Sequence, residues 1–435
     1  MAKITVASNY SLNMSVFDFS TIYYGTSYVQ TGTLFRVSYS NGVLEEFRGT
    51  GLTYNAFGEP ITGTITSYAA WYNGQQLFKV EGSIAVTKIV AAAQTVDTGD
   101  DLGVIIEVLK GNDTITGGNI ADVLFGFDGN DLVNGNGGND LLYGYAGNDT
   151  VIGGTGGDRI DGGAGSDTAS YATASAGVTA SLAAALSNTN DAKGDTYYYI
   201  ENLLGSRYGD TLAGNSGANS LTGGDGNDTL IGGAGADKLY GGNGTDTASY
   251  ANAAAAVIAN LSNTAVNIGD AKGDLYSSIE NLIGSKYADQ LYGNTAANSL
   301  TGGAGNDLIN ASAGNDWIYG ATGADRLTGG TGADRFVFKA LAESAGTTFD
   351  TIYDFLSGEQ DRIDLSAIDA STKLSGNQAF TFVGGAAFKG VAGELRYEKQ
   401  ASDTYIYADV NGDKVADLKV HLDDAVTFAK DYFVL

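Results

Sequence analysis

Aspartates recur at intervals of nine residues through the middle of this chain, with Asp113, Asp122, Asp131, Asp140, Asp149, Asp158 and Asp167 forming one unbroken series. The same phase resumes at Asp210, Asp228, Asp237 and Asp246, with Asn219 in the series, and again at Asp289, Asp307, Asp316, Asp325 and Asp334, with Asn298. An ionised carboxylate accepts hydrogen bonds and binds cations but donates nothing. Carboxylates held in register therefore repel one another unless a cation lies between them. The Gly-rich residues around them add only backbone carbonyls, so the ligand set is all oxygen. Such a set suits a hard ion taking six or more ligands, Ca²⁺ rather than Zn²⁺.

The units carrying these aspartates read GFDGNDLVN, GNGGNDLLY, GYAGNDTVI, GGTGGDRID and GGAGSDTAS. Six residues of each can only turn, because Gly permits backbone angles that other residues avoid. The remaining three suffice for one short strand, with Leu132, Leu141, Val151 and Ile160 read as its central apolar residue. Two units then make a flattened coil of about 18 residues, whose strands stack into two parallel sheets and whose turns stack along two edges at roughly 4.8 Å. A disordered Gly/Asp-rich spacer would have no use for an apolar residue at a fixed period. In this pattern the chain resembles the RTX family, whose consensus GGxGxDxUx forms a calcium-binding β-roll. The resemblance implies an all-β protein, a parallel β-roll solenoid with a small N-terminal antiparallel β domain and a C-terminal β cap. It also implies several Ca²⁺ ions held by the aspartates named above. At Asn219 and Asn298 the charge is lost but an oxygen remains, so those rungs bind calcium weakly or close by hydrogen bonds.

Composition narrows the partners. The 435 residues carry a formal net charge of −27, with 50 acidic and 23 basic residues. No Lys/Arg patch is present to neutralise phosphates, which disfavours nucleic acid. There is no Cys, so neither disulfides nor thiolate sites hold the fold. Neither a signal-peptide run at the start nor 18 uninterrupted apolar residues elsewhere is found. Cytosolic calcium is scarce, whereas extracellular modules work at about 10⁻⁴–10⁻³ M. The repeat block therefore argues for a secreted or cell-surface protein exported without an N-terminal signal.

Five segments are expected. Residues 1–95 hold short alternating runs, 33–39 (TLFRVSY), 62–68 (TGTITSY) and 76–80 (QLFKV), separated by Asn-Gly pairs at 41–42 and 73–74 that favour tight hairpins. Their aromatics, among them Tyr23, Tyr28, Tyr54 and Trp71, suit either a packed core or stacking on carbohydrate. Residues 96–167 are read as the first roll, with the apolar run LGVIIEVLKG forming its first rungs and Val104, Ile105 and Leu109 covering its open end. Residues 168–246 and 247–334 are a duplicated unit with matched positions 79 apart, such as Tyr171 with Tyr250 and Ile200 with Ile279. In each copy VTASL or VIANL is read as extended, the Ala-rich stretch 253–256 as strand or loop, and IENL as resuming the roll.

Residues 335–435 change character and resemble the C-terminal part of the repeat region in serralysin-type secreted metalloproteases. The expected cap core is Phe336, Phe338, Phe355, Ile363, Leu365, Phe382 and Leu395. Within it, DVNGDKVAD places Asp409, Asn411, Asp413 and Asp417 in a tight loop that suits either a further calcium site or a plain polar turn. The ending DYFVL matches the acid-then-apolar pattern of uncleaved signals in RTX proteins, so the resemblance implies the type I secretion apparatus as a partner. A last strand of the cap is compatible with it.

Serralysins pair this region with a zinc protease domain bearing HExxH. Here the single histidine, His421, excludes a three-histidine zinc site, and neither a Cys nucleophile nor a GxSxG elbow is present. The functional expectation is a non-enzymatic calcium-binding protein that folds on meeting Ca²⁺ outside the cell. Its role would be structural or adhesive, with cell-surface glycans or self-association as further partners. A carbohydrate-binding protein and a polysaccharide-active enzyme are the alternatives.

Overall fold

Three-residue strands are too short to persist alone, and within the unbroken repeats each finds its neighbours 18 residues away along the chain. Thr150 and Val151 pair in parallel with Leu132 and Val133 on one side and with Thr168 and Ala169 on the other. Leu141 and Leu142 pair likewise with Val123 and Leu124, and with Arg159 and Ile160. The computed structural model describes residues 1–435 except 185 and 186, and the chain forms two compact units, Met1–Leu212 and Ala213–Leu435.

Alternation along each strand decides what is inside. Val133, Leu142, Val151, Ile160 and Ala169 are fully buried. Leu132 and Leu141, read from sequence as the inward residues, are instead 37% and 39% exposed. They precede the true centre by one position, and a one-residue step in a strand reverses the face.

In the first unit, β1 (Lys3–Val6), β2 (Ser27–Thr31), β3 (Leu34–Ser38), β4 (Val43–Tyr54), β5 (Pro60–Tyr72) and β6 (Gln75–Ala85) form an antiparallel sheet. The hairpins turn at 41–42 and 73–74 as expected, with left-handed Gly42 and Gly74. Phe47 stacks on Tyr68 at 4.6 Å, with Phe19, Phe35 and Phe78 around them, so several of the aromatics are core. Two helices not anticipated follow, α1 (Val86–Ala93) and α2 (Thr98–Val108). The expectation that 96–112 forms rungs is thus corrected. Asp97 caps α2 by accepting from the Gly99 N–H, and Asp101, Val104, Ile105 and Leu109 are buried at helical spacing. The first coil is backed by β1, which pairs in parallel with Thr114–Thr116 while its other edge pairs with β6. The N-terminal sheet is therefore continuous with one face of the roll.

Both inserted segments return to the roll as strands. Thr196–Tyr198 pairs with Arg159–Ala164 in the first unit, and Leu275–Ser277 pairs with Lys238–Asn243 in the second. The VTASL and VIANL segments are extended at Thr179–Ser181 and Ile258–Asn260, and residues 253–256 form an irregular loop.

In the second unit one parallel sheet runs through Asn281–Ile283, Ser299–Ala304, Trp317–Thr322, Arg335–Val337 and Arg362–Asp364 to Phe433–Val434. The opposite sheet passes from Arg326–Thr328 through Thr351–Ile352 to Leu418–Leu422, and then turns antiparallel through Thr404–Asp409 and Glu394–Lys399. The last residues thus form a strand of this region. Phe336, Phe338, Phe355, Ile363, Leu365 and Leu395 are buried as expected; Phe382 is half-buried, stacked 6.2 Å from Tyr397.

The stacked interior gives a direct contrast between neighbours. Leu142→Ala should destabilise the calcium-loaded protein by about 2–5 kcal/mol, and Leu141→Ala by about 0.5 kcal/mol or less. Equilibrium denaturant unfolding of the two variants measures the difference.

Candidate metal centre

The turn aspartates are among the most buried side chains in the molecule, each between 0 and 3% exposed. Sequence forces this. The strand that follows begins one residue after the Asp, so the carboxylate is drawn into the corner where turn meets strand. One oxygen is used at once. Asp149 Oδ1 accepts the backbone N–H of Asp131 at 2.7 Å, and Asp131 Oδ1 accepts that of Asp113 at 2.8 Å. The second row repeats this, from Asp122 to Asp140 at 2.7 Å and from Asp140 to Asp158 at 2.8 Å. In the second unit the same bond links Asp289 to Asp307, Asp307 to Asp325 and Asp316 to Asp334.

The other oxygen is different. Oδ2 of Asp113, Asp131, Asp140, Asp149, Asp158, Asp167, Asp237, Asp246, Asp307, Asp316, Asp325 and Asp334 is buried without a hydrogen-bond partner. Except at Asp113 and Asp316, each of these carboxyl groups lies against the glycine five residues before it, which has no room for a side chain. A Cβ on Gly126 would lie 2.6 Å from Asp131 Oδ2 and 2.8 Å from the carbonyl oxygen of Gly144, one coil further on. Carboxylate and carbonyl oxygens thus converge on a space that only glycine leaves open, with no donor to satisfy them. Calcium fits that donor set in charge and in ligand type. When bound it neutralises neighbouring coils and draws their turns together.

Electrostatics point the same way. Burial first, then the neighbouring carboxylates in the row, push Asp131 and Asp140 up to about 7. Asp307 and Asp316 also reach about 7, and Asp158, Asp237 and Asp325 about 6. A folded protein without calcium must hold these groups protonated or bear their repulsion.

In other rungs the second oxygen already accepts a backbone N–H. Asp122 Oδ2 accepts the Gly118 N–H at 2.7 Å, and the Oδ2 atoms of Asp210 and Asp289 accept the Ser206 and Ser285 N–H groups. Asn219 and Asn298 do likewise through Oδ1, from Asn215 and Asn294, both at 2.8 Å. Hydrogen-bond closure, one of the two expectations for the Asn rungs, is what the geometry gives them. Asp228 joins its row by donating its N–H to Asp246 Oδ1 at 2.8 Å.

Sequence reasoning missed the acids that take over where the nine-residue phase breaks. Asp158 N–H finds Asp195, Asp237 finds Asp274, and Asp167 and Asp246 find Glu201 and Glu280. In the C-terminal region Asp350 and Asp361 receive the N–H groups of Asp325 and Asp334. The repeated AKGD and IEN strings held the first four in view.

The loop at 409–417 does not gather its acids at one point. Asp409 accepts from the Gly412 and Lys414 N–H groups at 2.6 and 2.9 Å, Asn411 from Asp413, and Asp417 from Val410 at 2.9 Å. Those side chains fold the loop's own backbone, as a polar turn does. A separate group, Asp403, His421 and Asp423, brings three ligand atoms within 4.8 Å of one another. Both His421 nitrogens already have neighbours, Thr351 Oγ1 at 3.2 Å and Asp403 Oδ1 at 3.0 Å.

With roll and acid rows in place, the fold and site define a calcium-binding parallel β-roll. The family description "RTX calcium-binding nonapeptide repeat" matches residues 109–142, 135–169, 204–236 and 213–248. "Peptidase M10 serralysin C terminal" matches residues 278–434. The chain carries an RTX-type calcium-binding repeat region followed by a serralysin-type C-terminal region. Two solved structures from the Azotobacter vinelandii mannuronan C5-epimerase are similar to it. The AlgE6R3 subunit is 31% identical over 35% of this chain and 80% of its own, with a TM-score of 0.27. The AlgE6R2 subunit is 30% identical over 35% and 90%, with a TM-score of 0.28. No curated protein matches the chain. Among the described residues no helix is long and apolar enough to cross a membrane.

A carboxyl whose folded pKa stands above its unfolded value of about 3.9 binds protons more tightly in the fold. Stability of the calcium-free form is then highest at low pH and is lost as pH rises toward about 7, where Asp131 and Asp140 ionise. In a chelator, β-structure followed by circular dichroism should therefore be greater at pH 5 than at pH 7.5. With saturating calcium this difference should disappear.

Proposed function

We propose that this chain is a secreted protein kept unfolded by its own turn carboxylates where calcium is scarce. Where calcium is abundant it is set into a rigid roll and serves a structural or adhesive role at a cell surface or in a matrix. The observation that carries this reading is the row of buried carboxylate oxygens without a donor. Ions that bind only the folded form convert binding energy into folding energy. The proposed ligands are the aspartates with an open Oδ2, together with the glycine carbonyls one coil on. Asp122, Asp210 and Asp289 act as hydrogen-bonded struts.

Export by a type I apparatus that reads the C-terminal region accords with the serralysin-type match at residues 278–434. A chain that is open inside the cell would suit a narrow exporter. The formal charge of −27, partly cancelled by calcium, also supports self-association through exposed turn edges.

Three measurements test the reading. Calorimetric stoichiometry should fall in Asp140→Asn and stay unchanged in Asp128→Asn, whose side chain is exposed outside the acid rows; equal stoichiometry in both would end the assignment. Removing residues 335–435 should lower the amplitude of the calcium-induced circular dichroism change by more than the share of strands removed, because the rows lose their last acceptors. Light scattering during a calcium titration should show growth beyond the monomer if self-association is the physiological mode.

A further inference from the structure

The N-terminal sheet carries a cleft that the calcium rows do not use. It has a volume of about 480 Å³ and opens between residues 10–21 and the face made by β4, β5 and β6. Glu45, 7% exposed, lines it. Its Oε1 accepts the Tyr68 hydroxyl at 2.7 Å and its Oε2 accepts that of Tyr39. Asp18 stands on the exposed rim, and none of the residues lining the cleft is Lys or Arg.

The adjacent residue shows how unusual this is. Glu46, equally buried on the other face of β4, is clasped by Arg36 and Arg48. A buried carboxylate without a cation is costly, and this domain has placed arginines beside one glutamate and only the neutral hydroxyls of Tyr39, Tyr68 and Thr21 beside the next. The missing positive charge at Glu45 is what a ligand can bring. Tyr10, Phe17 and Phe78 also line the cleft, with Tyr10 and Phe78 stacked 6.1 Å apart and Phe17 edge-on to Phe78 at 5.7 Å. Rings of this kind suit a cation and the apolar face of a sugar. Ser11, Asn13, Thr21 and Asn41 supply the polar rim a hydroxylated ligand needs.

We propose that this cleft binds a cationic amino sugar, one or two rings long with its amine free, the ammonium seated against Glu45 and the ring against the aromatic wall. Leu12 on the cleft wall donates its N–H to Asp122 at the end of one row, but Glu45 belongs to no row, so amine binding measured at saturating calcium is read apart from the calcium assignment. Burial raises the Glu45 pKa above its ordinary value and the tyrosine hydrogen bonds offset part of that, as fits an acid awaiting a cation.

The test uses the full chain at saturating calcium, with its circular dichroism recorded first. Fully deacetylated glucosamine disaccharide, its N-acetylated form and cellobiose are titrated in by calorimetry and ligand-observed NMR. Binding of the free amine alone is expected, with affinity reduced at least tenfold in Glu45→Gln. Val16→Trp, at a position 62% exposed on the cleft, should block the mouth without touching the core and weaken binding similarly, which keeps the idea testable if Glu45→Gln misfolds. Equal binding of the acetylated sugar, no binding of the amine, displacement of the amine by calcium, or unchanged affinity in Val16→Trp would overturn it.

Discussion

A carboxylate taken out of water with one oxygen unpaired costs several kcal/mol, and the coils of this chain bury such oxygens in two parallel rows. No other feature of the protein asks for so much compensation. The interior of each coil is a single small or medium side chain per strand, such as Val133, Leu142 or Ile160. Three-residue strands add few hydrogen bonds apiece. The fold is therefore secure only when something positive enters the rows, and the absence of Cys leaves metal ions as the available staple.

The two oxygens of each aspartate divide the work. Oδ1 is structural, accepting an N–H from the coil before it, and sets the coil spacing whether or not an ion is present. Oδ2 is the ligand. Where the chain does not need an ion it changes that second oxygen's partner and leaves the first in place, as the Gly118, Ser206 and Ser285 N–H groups do for Asp122, Asp210 and Asp289. Binding and closed rungs thus share one backbone form, which lets them be mixed along the roll without a break in register.

Much of this was legible in the sequence because a period of nine residues leaves few solutions. The roll, the rows and the hairpins at 41–42 and 73–74 follow from spacing and from Gly and Asn chemistry. What was not legible depended on contacts remote in sequence. The run LGVIIEV was too short to separate strand from helix by its apolar content, and the Asp97 cap with burial at 101, 104, 105 and 109 decided for helix. Leu132 and Leu141 look as apolar as Val133 and Leu142, and only register tells them apart. Phe127 and Tyr145 hold left-handed angles of φ 74 and 75 where neighbouring coils have glycine, a conformation the bulky side chains give no hint of. Asp413 and its neighbours had the spacing of ligands but were bonded to their own loop.

The rows also have a direction. Each N–H reaches forward to a carboxylate later in the chain, so every coil is held by the one that follows it. Such a row must end on an acceptor that itself needs no successor in the repeat. In the first unit Asp195 and Glu201 take that place, in the second Asp274, Glu280, Asp350 and Asp361. At the other end, the backbone N–H groups of Ala2 and Leu12 engage Asp113 and Asp122, so the N-terminal segment docks on the roll through the same bond that joins one coil to the next. The duplicated insertions are then terminators as well as interruptions: each closes two rows with its own acids and lets a new row begin, at Val178 on Asp210 and at Val257 on Asp289. A long acidic stack is in this way divided into short ones, each sealed by protein at its end, and the repulsion that any one group of calcium ions must balance stays small.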